Sequence, residues 1–259
     1  MERTVYIPAE RQKKIIEYIE MNTSAQIHEL AAKFRVSEAT IRRDLDDLDT
    51  QGALRRTHGG AIKMSRSTSY ENVYSEKISF MTDEKHRIAE YAARLVHAGD
   101  TVMIDSGTTT FFVAQALSAV ENLTIITNDL FIACQTDIHP SSTLIVTGGS
   151  CRQGRQELVG TITENFLRET HVDIAFIGVD GIDINCGMTN ANFPEVGVKK
   201  LMMKAAMRSV FVADHSKFGR IALARICDLS EAGLLITDNG IDDALLLKLK
   251  KMQIEIETV

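Results

Sequence analysis

Nothing in this chain of 259 residues calls for a membrane, a metal or an oxidising compartment. No stretch approaches the ~18 apolar residues that a membrane span needs. The opening Met1-Glu2-Arg3-Thr4-Val5-Tyr6-Ile7-Pro8 has no apolar signal-peptide region, so secretion is not expected. Only three prolines occur, without a low-complexity tract. The four cysteines, Cys134, Cys151, Cys186 and Cys227, lie far apart, with no CxxC pair and no Cys/His cluster at ligand spacing. Neither a metal site nor a disulfide framework is expected, no cofactor is called for, and a reducing cytoplasm fits. The absence of a GxxxxGK[ST] loop disfavours a nucleoside triphosphate as ligand.

What is present is an ordinary globular composition, 44% hydrophobic and 25% charged, with a net charge of −6. That sum alone discourages a nucleic-acid partner, but the distribution is uneven. Residues 1–66 hold 12 Lys and Arg against 10 Asp and Glu, and the rest hold 17 against 25. Only the first part has the sign suited to phosphates.

Within it, Ala9 to Glu20 sets Ile15, Ile16 and Ile19 on one face among Arg11, Gln12, Lys13, Lys14 and Glu17, an amphipathic helix pattern. After the polar break Asn22-Thr23-Ser24, a second helix fits Gln26 to Phe34, with Ile27, Leu30, Ala31 and Phe34 inward. Ser37 is a good N-cap for a third, in which Ile41, Leu45 and Leu48 share a face. Gly52 is placed to close that helix. Ala53-Leu54 and Arg55-Arg56-Thr57-His58-Gly59-Gly60-Ala61-Ile62 read as a small hairpin with a Gly-Gly bend, a wing. Two short helices with a tight turn form a helix-turn-helix, whose second helix enters the major groove by its N-terminal end. Ser37, Glu38, Ala39, Thr40, Arg42 and Arg43 would then lie near DNA, the arginines on phosphates or a guanine edge. Arg55, Arg56 and His58 would add phosphate or minor-groove contacts from the wing. The alternative is a three-helix scaffold whose arginines form a solvated face; the basic wing favours DNA.

Ser37-Glu38-Ala39-Thr40-Ile41-Arg42-Arg43-Asp44-Leu45, followed by Leu48, Gly52, Leu54, Arg56, His58, Gly59, Gly60 and Ala61, resembles the signature of DeoR-type regulators. The resemblance implies sequence-specific binding to double-stranded operator DNA, usually as a repressor of sugar-utilisation operons.

Beyond a polar stretch over 63–80, read as a linker, a helix is predicted from Thr82 to His97. Strand candidates Thr101–Asp105, Leu123–Thr127, Thr143–Thr147, Ile174–Val179, Ser209–Ala213 and Leu234–Thr237 then alternate with helical segments. The fold class expected is α/β: a winged helix-turn-helix over 8–62, then a larger domain over 81–259 built on a largely parallel sheet. Ligands of such sheets bind at the loops ending the strands. Asp105-Ser106-Gly107-Thr108-Thr109-Thr110 sits at a strand-to-helix junction, where hydroxyls and free helix N–H groups suit a phosphate. Plain N-capping by Thr108 or Thr109 is the other reading. Further candidates are Asn128, Gly148, Gly149, Arg152, Asp180, Glu195, Lys199 and Lys217. Together they would hold a hydroxylated anion, with Lys217 and arginine supplying charge and Asp105, Asn128 and Asp180 bonding hydroxyls. Asn128 taken alone reads better as a turn residue.

DSGTTT, TND, TGG, GVDGID and ADHSKFG are similar to the sensor domain of the same family. That likeness implies a fold like the sugar-phosphate isomerases and CoA-transferases, and a phosphorylated sugar effector with its phosphate on the SGTTT loop. The reading is thus a metabolite-controlled regulator acting as a homodimer or homotetramer, without catalytic residues. An isomerase using Asp180, Glu195 and Lys199 as acid–base groups is the alternative, but a fused winged helix has no use there. An architectural DNA-binding protein would be far more basic.

Overall fold

The computed structural model describes residues 6–50, 53–64, 67–69, 71, 74–152 and 154–259. The chain divides into two compact units, Met1–Ser67 and Thr68–Val259. Gly52 lies outside the described residues.

In the first unit, helix α1 (Pro8–Asn22) starts on a proline, which costs nothing where the N–H would be unpaired anyway. Strand β1 (Ser24–Gln26) follows where the sequence reads as a polar break. Helix α2 (Ile27–Phe34) carries a Gln26/Glu29 capping box and ends at Arg35 in a left-handed conformation. Helix α3 (Glu38–Thr50) begins at Ser37, whose Oγ accepts the Thr40 N–H at 3.1 Å. Strands β2 (Arg55–Arg56) and β3 (Gly60–Ile62) complete an antiparallel sheet in the order β1-β3-β2. Ile15, Ile19, Leu30, Phe34, Ile41, Leu45, Leu48 and Leu54 form one core. Its polar tie is a buried two-pronged pair, Arg11 Nε to Asp44 at 2.6 Å and Nη2 at 3.1 Å, joining α1 to α3. Gly60 is there for packing: a Cβ would sit 2.0 Å from the Ala25 carbonyl oxygen of β1. The hairpin turns on His58 and Gly59, since the Thr57 N–H bonds the Gly60 carbonyl at 3.0 Å.

In the second unit, helix α4 (Tyr74–Ser79) occupies part of the stretch read as linker, and α5 (Thr82–Ala93) stops short of His97. There follow β4 (Thr101–Ile104), α6 (Thr108–Ala116), β5 (Thr124–Thr127), α7 (Leu130–Gln135) and β6 (Thr143–Val146). Next come β7 (Ser150–Cys151), β8 (Leu158–Val159), α8 (Thr161–Arg168) and β9 (Val172–Gly178). After them lie β10 (Gly181–Asp183), β11 (Gly187–Asn190), α9 (Phe193–Ala205) and β12 (Ala206–Val212). The unit closes with β13 (Ala224–Cys227), β14 (Leu234–Thr237), α10 (Asp243–Lys251) and β15 (Glu255–Thr258).

Seven of these strands form a parallel sheet in the order β15-β14-β12-β9-β4-β5-β6. Alternate residues feed two cores: Met103, Ala175, Ile177, Phe211 and Leu235 meet α9 and α10 on one face. Val102, Ile104, Phe176, Val212 and Ile236 meet α5 and α6 on the other. Burial on both faces is why these strands read as apolar runs rather than alternating ones. Successive strands run outward from β4 in one direction and from β9 in the other. The order therefore reverses between β4 and β9, and a crevice opens outside their carboxyl ends. Outside the main sheet, β10, β11 and β13 form a small antiparallel sheet, and β7 pairs with β8.

Candidate functional site

On the first unit, Ser37, Glu38, Ala39, Arg42 and Arg43 are exposed at the start of α3, with Thr40 half-buried. Arg42 pairs with Glu38 one turn back at 2.7 Å, an exposed contact that DNA could displace at little cost. Arg55 and His58 stand exposed on the wing. Arg56, also expected among the wing contacts, is half-exposed and engaged within the unit. Its Nη1 lies 2.9 Å from Asp46 and 3.0 Å from the Arg42 carbonyl, and its N–H donates to Asp49. Three acceptors on α3 thus hold Arg56 as the strut that sets the wing against that helix.

On the second unit, the crevice at the strand reversal is a small open cleft of about 50 Å³. Ser106, Gly107, Thr108, Thr109 and Thr110 line it after β4, and Gly178, Val179 and Asp180 after β9. Lys217 enters from beyond β12, Glu195 and Lys199 from α9, and Asn190 from β11. Lys77 of α4 also reaches it. The N-cap of α6 is Gly107, which offers no side-chain cap, and the first turn, Thr108 to Thr110, lines the cleft. Thr108 and Thr109 do not cap that helix as the plainer reading supposed.

The loop is held from behind. The Ser106 N–H donates to Asn128 Oδ1 at 3.1 Å and its hydroxyl to Asp129 at 2.6 Å. Asn128 Nδ2 donates in turn to the Leu158 carbonyl at 3.2 Å. Beneath the floor, Lys199 Nζ donates to Asp105 and to the Gly178 carbonyl, and Asp105 accepts the Gly178 N–H at 3.0 Å. Burial pushes the Asp105 carboxyl up to about 6, with Lys199 pulling the other way. Burial opposes the Lys199 charge, but Asp105 and Glu195 outweigh it and raise its pKa. At neutral pH the pair is ionised.

Asp180 is half-buried; desolvation opposes its charge, yet the Lys77 and Lys217 ammonium groups hold its carboxyl well below the usual range. Lys77 is within 3.0 Å of Asp180. Burial lowers the Lys217 pKa, against the pull of the Asp214 and Asp180 carboxylates. Lys217 faces the same space as the first turn of α6.

Five residues proposed from sequence lie outside this cleft. Asp105 and Asn128 are fully buried supports. Gly148 and Gly149 seat α8: Thr163 Oγ1 donates to the Gly148 carbonyl at 2.6 Å, and a Cβ on Gly149 would lie 2.2 Å from the Thr163 Oγ1. Arg152 is engaged by Glu157 at 2.6 Å, Glu71 at 3.1 Å and Glu195 at 3.5 Å. Turn glycines and a lone arginine after a strand look alike in sequence whether they face a ligand or a neighbouring helix. Lys77 and Asn190 were missed, since neither stands at the end of a recognisable parallel strand.

Among the described residues no His, Cys, Asp and Glu cluster could hold a metal ion. No helix among them is long and apolar enough to cross a membrane.

Residues 11–67 match the DeoR-like helix-turn-helix domain and residues 81–239 the DeoR C-terminal sensor domain. The chain belongs to the DeoR family of helix-turn-helix transcriptional regulators. It is 34% identical to the HTH-type transcriptional regulator GolR of Listeria innocua over 241 residues, 93% of this chain and 94% of that one. It is 35% identical to the glycerol-3-phosphate regulon repressor of Haemophilus influenzae over 227 residues, 88% of each. It is 34% identical to the putative aga operon transcriptional repressor of Escherichia coli O157:H7 over 256 residues, 98% of this chain and 95% of that one. Among solved structures, ribose 5-phosphate isomerase A of Methanocaldococcus jannaschii shares 20% identity over 53% of this chain and 55% of its own, with a TM-score of 0.39. That overlap is too small to bear on function.

Proposed function

We propose that the chain is a sequence-specific repressor of a carbohydrate-utilisation operon, released or engaged by a phosphorylated sugar bound in the second unit. The observation that carries this is the convergence of the first turn of α6 and the Lys217 ammonium on one cleft. A helix N-terminus and a lysine suit a phosphate dianion. Asp180, Asn190 and Glu195 along the walls offer acceptors and donors for sugar hydroxyls. Relatives named for glycerol-3-phosphate and aga regulons are consistent with such a ligand. Effector control requires unequal affinity for the DNA-competent and incompetent states. A two-fold homodimer or a tetramer, reading half-sites about one helical turn or a multiple of it apart, would present two heads in the cytoplasm.

A thermal-shift screen of the full chain against phosphorylated sugars tests the sensor, because a ligand bound only by the folded state raises the apparent melting temperature. Failure of every sugar phosphate to shift it would sink the sensor reading. Thr109→Glu is expected to abolish the shift while operator affinity is retained; loss of DNA binding as well would make the loop structural. On the DNA side, Arg43→Ala should cost about 1–3 kcal/mol of operator affinity if a bidentate base contact is lost. Fluorescence anisotropy on the DNA upstream of the gene reads this, with random duplex as reference. Equal binding to both duplexes by the unsubstituted chain would refute sequence specificity.

A further inference from the structure

Residues 68–80 fall between the two matched family segments, 11–67 and 81–239, yet Lys77 among them lines the cleft and Glu71 shares partners with its wall. Lys77 lines it and ion-pairs with Asp180 at 3.0 Å. The α4 helix bearing Lys77 is stapled at its end by Lys85, which donates to the Lys77 and Phe80 carbonyls. Glu71, upstream, accepts from Arg152 at 3.1 Å, Arg155 at 2.6 Å and Asn192 at 2.8 Å. Arg152 and Asn192 also bond Glu195, which lines the cleft. The segment leading out of the DNA-binding unit is thus clamped by donors and acceptors that the cleft also uses.

We infer that Lys77 is a ligand-reading residue, and that its exchange between Asp180 and a bound phosphate couples cleft occupancy to the connecting segment. The inference rests on the phosphate reading given above. The charges support it. Lys77 and Lys217 both flank Asp180, with Glu195 also acting on Lys77 and Asp214 on Lys217. A phosphate dianion entering at α6 meets both cations and competes with Asp180 for Lys77. Asp180 stays seated through the Ala191 N–H at 3.1 Å, so the moving partner is Lys77 and with it α4. Displacement toward the anion alters the stretch from Glu71 to Ser79, and whatever fixes that stretch alters affinity for the anion equally, because coupling between sites is reciprocal.

The test uses the full chain with inorganic phosphate as probe. Phosphate affinity is measured by calorimetry, and backbone hydrogen exchange is followed over 74–79 with and without saturating phosphate. Lys77→Met should weaken phosphate binding about tenfold or more, the scale of one charge-assisted hydrogen bond, and should abolish the phosphate-dependent change over 74–79. Lys77→Arg should retain most of both. Glu71→Gln should speed exchange over 74–79 without phosphate and, by the same reciprocity, change calorimetric affinity for phosphate; faster exchange at unchanged affinity would overturn the coupling. Lys77→Met binding phosphate as tightly as the parent, or exchange over 74–79 indifferent to phosphate in the parent, overturns the inference. Thr109→Glu separates the two readings. If the parent binds phosphate and Thr109→Glu does not, while Lys77→Met is unaffected, only the role of Lys77 falls. If Thr109→Glu binds like the parent, the phosphate reading itself falls.

Discussion

An Asp44→Ala variant should lose about 3–5 kcal/mol of stability in the DNA-binding unit, the cost of stranding one partner of a buried ion pair. Asp44 accepts both prongs of the Arg11 guanidinium, at 2.6 and 3.1 Å, and both side chains are buried. With the carboxylate gone, Arg11 loses the partner that offsets its burial and yet keeps its charge, because arginine does not deprotonate. A unit of this size has little stability in reserve. Circular dichroism and hydrogen exchange over α1 to α3 should show the head unfolding while α5 and the main sheet stay protected. DNA binding would be lost with it, for a structural reason. The double variant Arg11→Met/Asp44→Leu should recover much of the loss, because apolar replacement of a whole buried pair is often neutral. An Asp44→Ala head as stable as the parent would mean that the pair contributes nothing and α3 is held by its leucines alone.

An Asp105→Ala variant should cost the second unit a comparable amount, about 3–5 kcal/mol near neutral pH, because it strands the Lys199 ammonium. Lys199 is 2% exposed. Glu195 lies 4.0 Å away and cushions the loss only in part. The pH dependence has a definite sign. In the parent, the native Asp105 pKa is about 6 against an ordinary 3.8, so the native state holds that proton more tightly and this group's contribution falls as pH rises toward 6. In the variant, burial dominates Lys199 and lowers its pKa, so the unfolded chain binds more protons and stability rises with pH. The penalty is therefore largest in acid and shrinks as pH increases. Urea titrations at several pH values would check it; a penalty growing with pH would overturn the assignment of Lys199 as the stranded charge. Weaker ligand binding is also expected, since the pair holds Gly178 on the cleft floor.

Much of the first unit was legible in the residues. The helices of Ile15, Leu30 and Leu45, the Ser37 cap and the wing all follow from local periodicity and side-chain chemistry, whose partners lie within a few residues. The structure departs where long-range contacts decide. Arg56 looks like any other wing arginine, but Asp46 and Asp49 of α3 are near enough to capture it. Strand β1 exists because β3 pairs with it, although Thr23-Ser24 carries no strand signal.

In the second unit the alternation of apolar runs and helices settles the α/β class by itself, for a strand buried on both faces can only be an apolar run. The order of the strands is another matter. Nothing in the runs around Met103 and Phe176 says that β4 and β9 are neighbours, and that adjacency alone sets Ser106–Thr110 beside Asp180 and Lys217. The short β15, with only Ile256 buried, is likewise made by its pairing with β14. Sequence by itself determined which segments are helix or strand and which loops carry polar groups, because those depend on local periods and caps. Only the tertiary structure decided that Asp105, Asn128, Gly148, Gly149 and Arg152 support the cleft from outside it while Lys77 lines it. Facing inward or outward from a loop depends on which distant elements the backbone brings alongside.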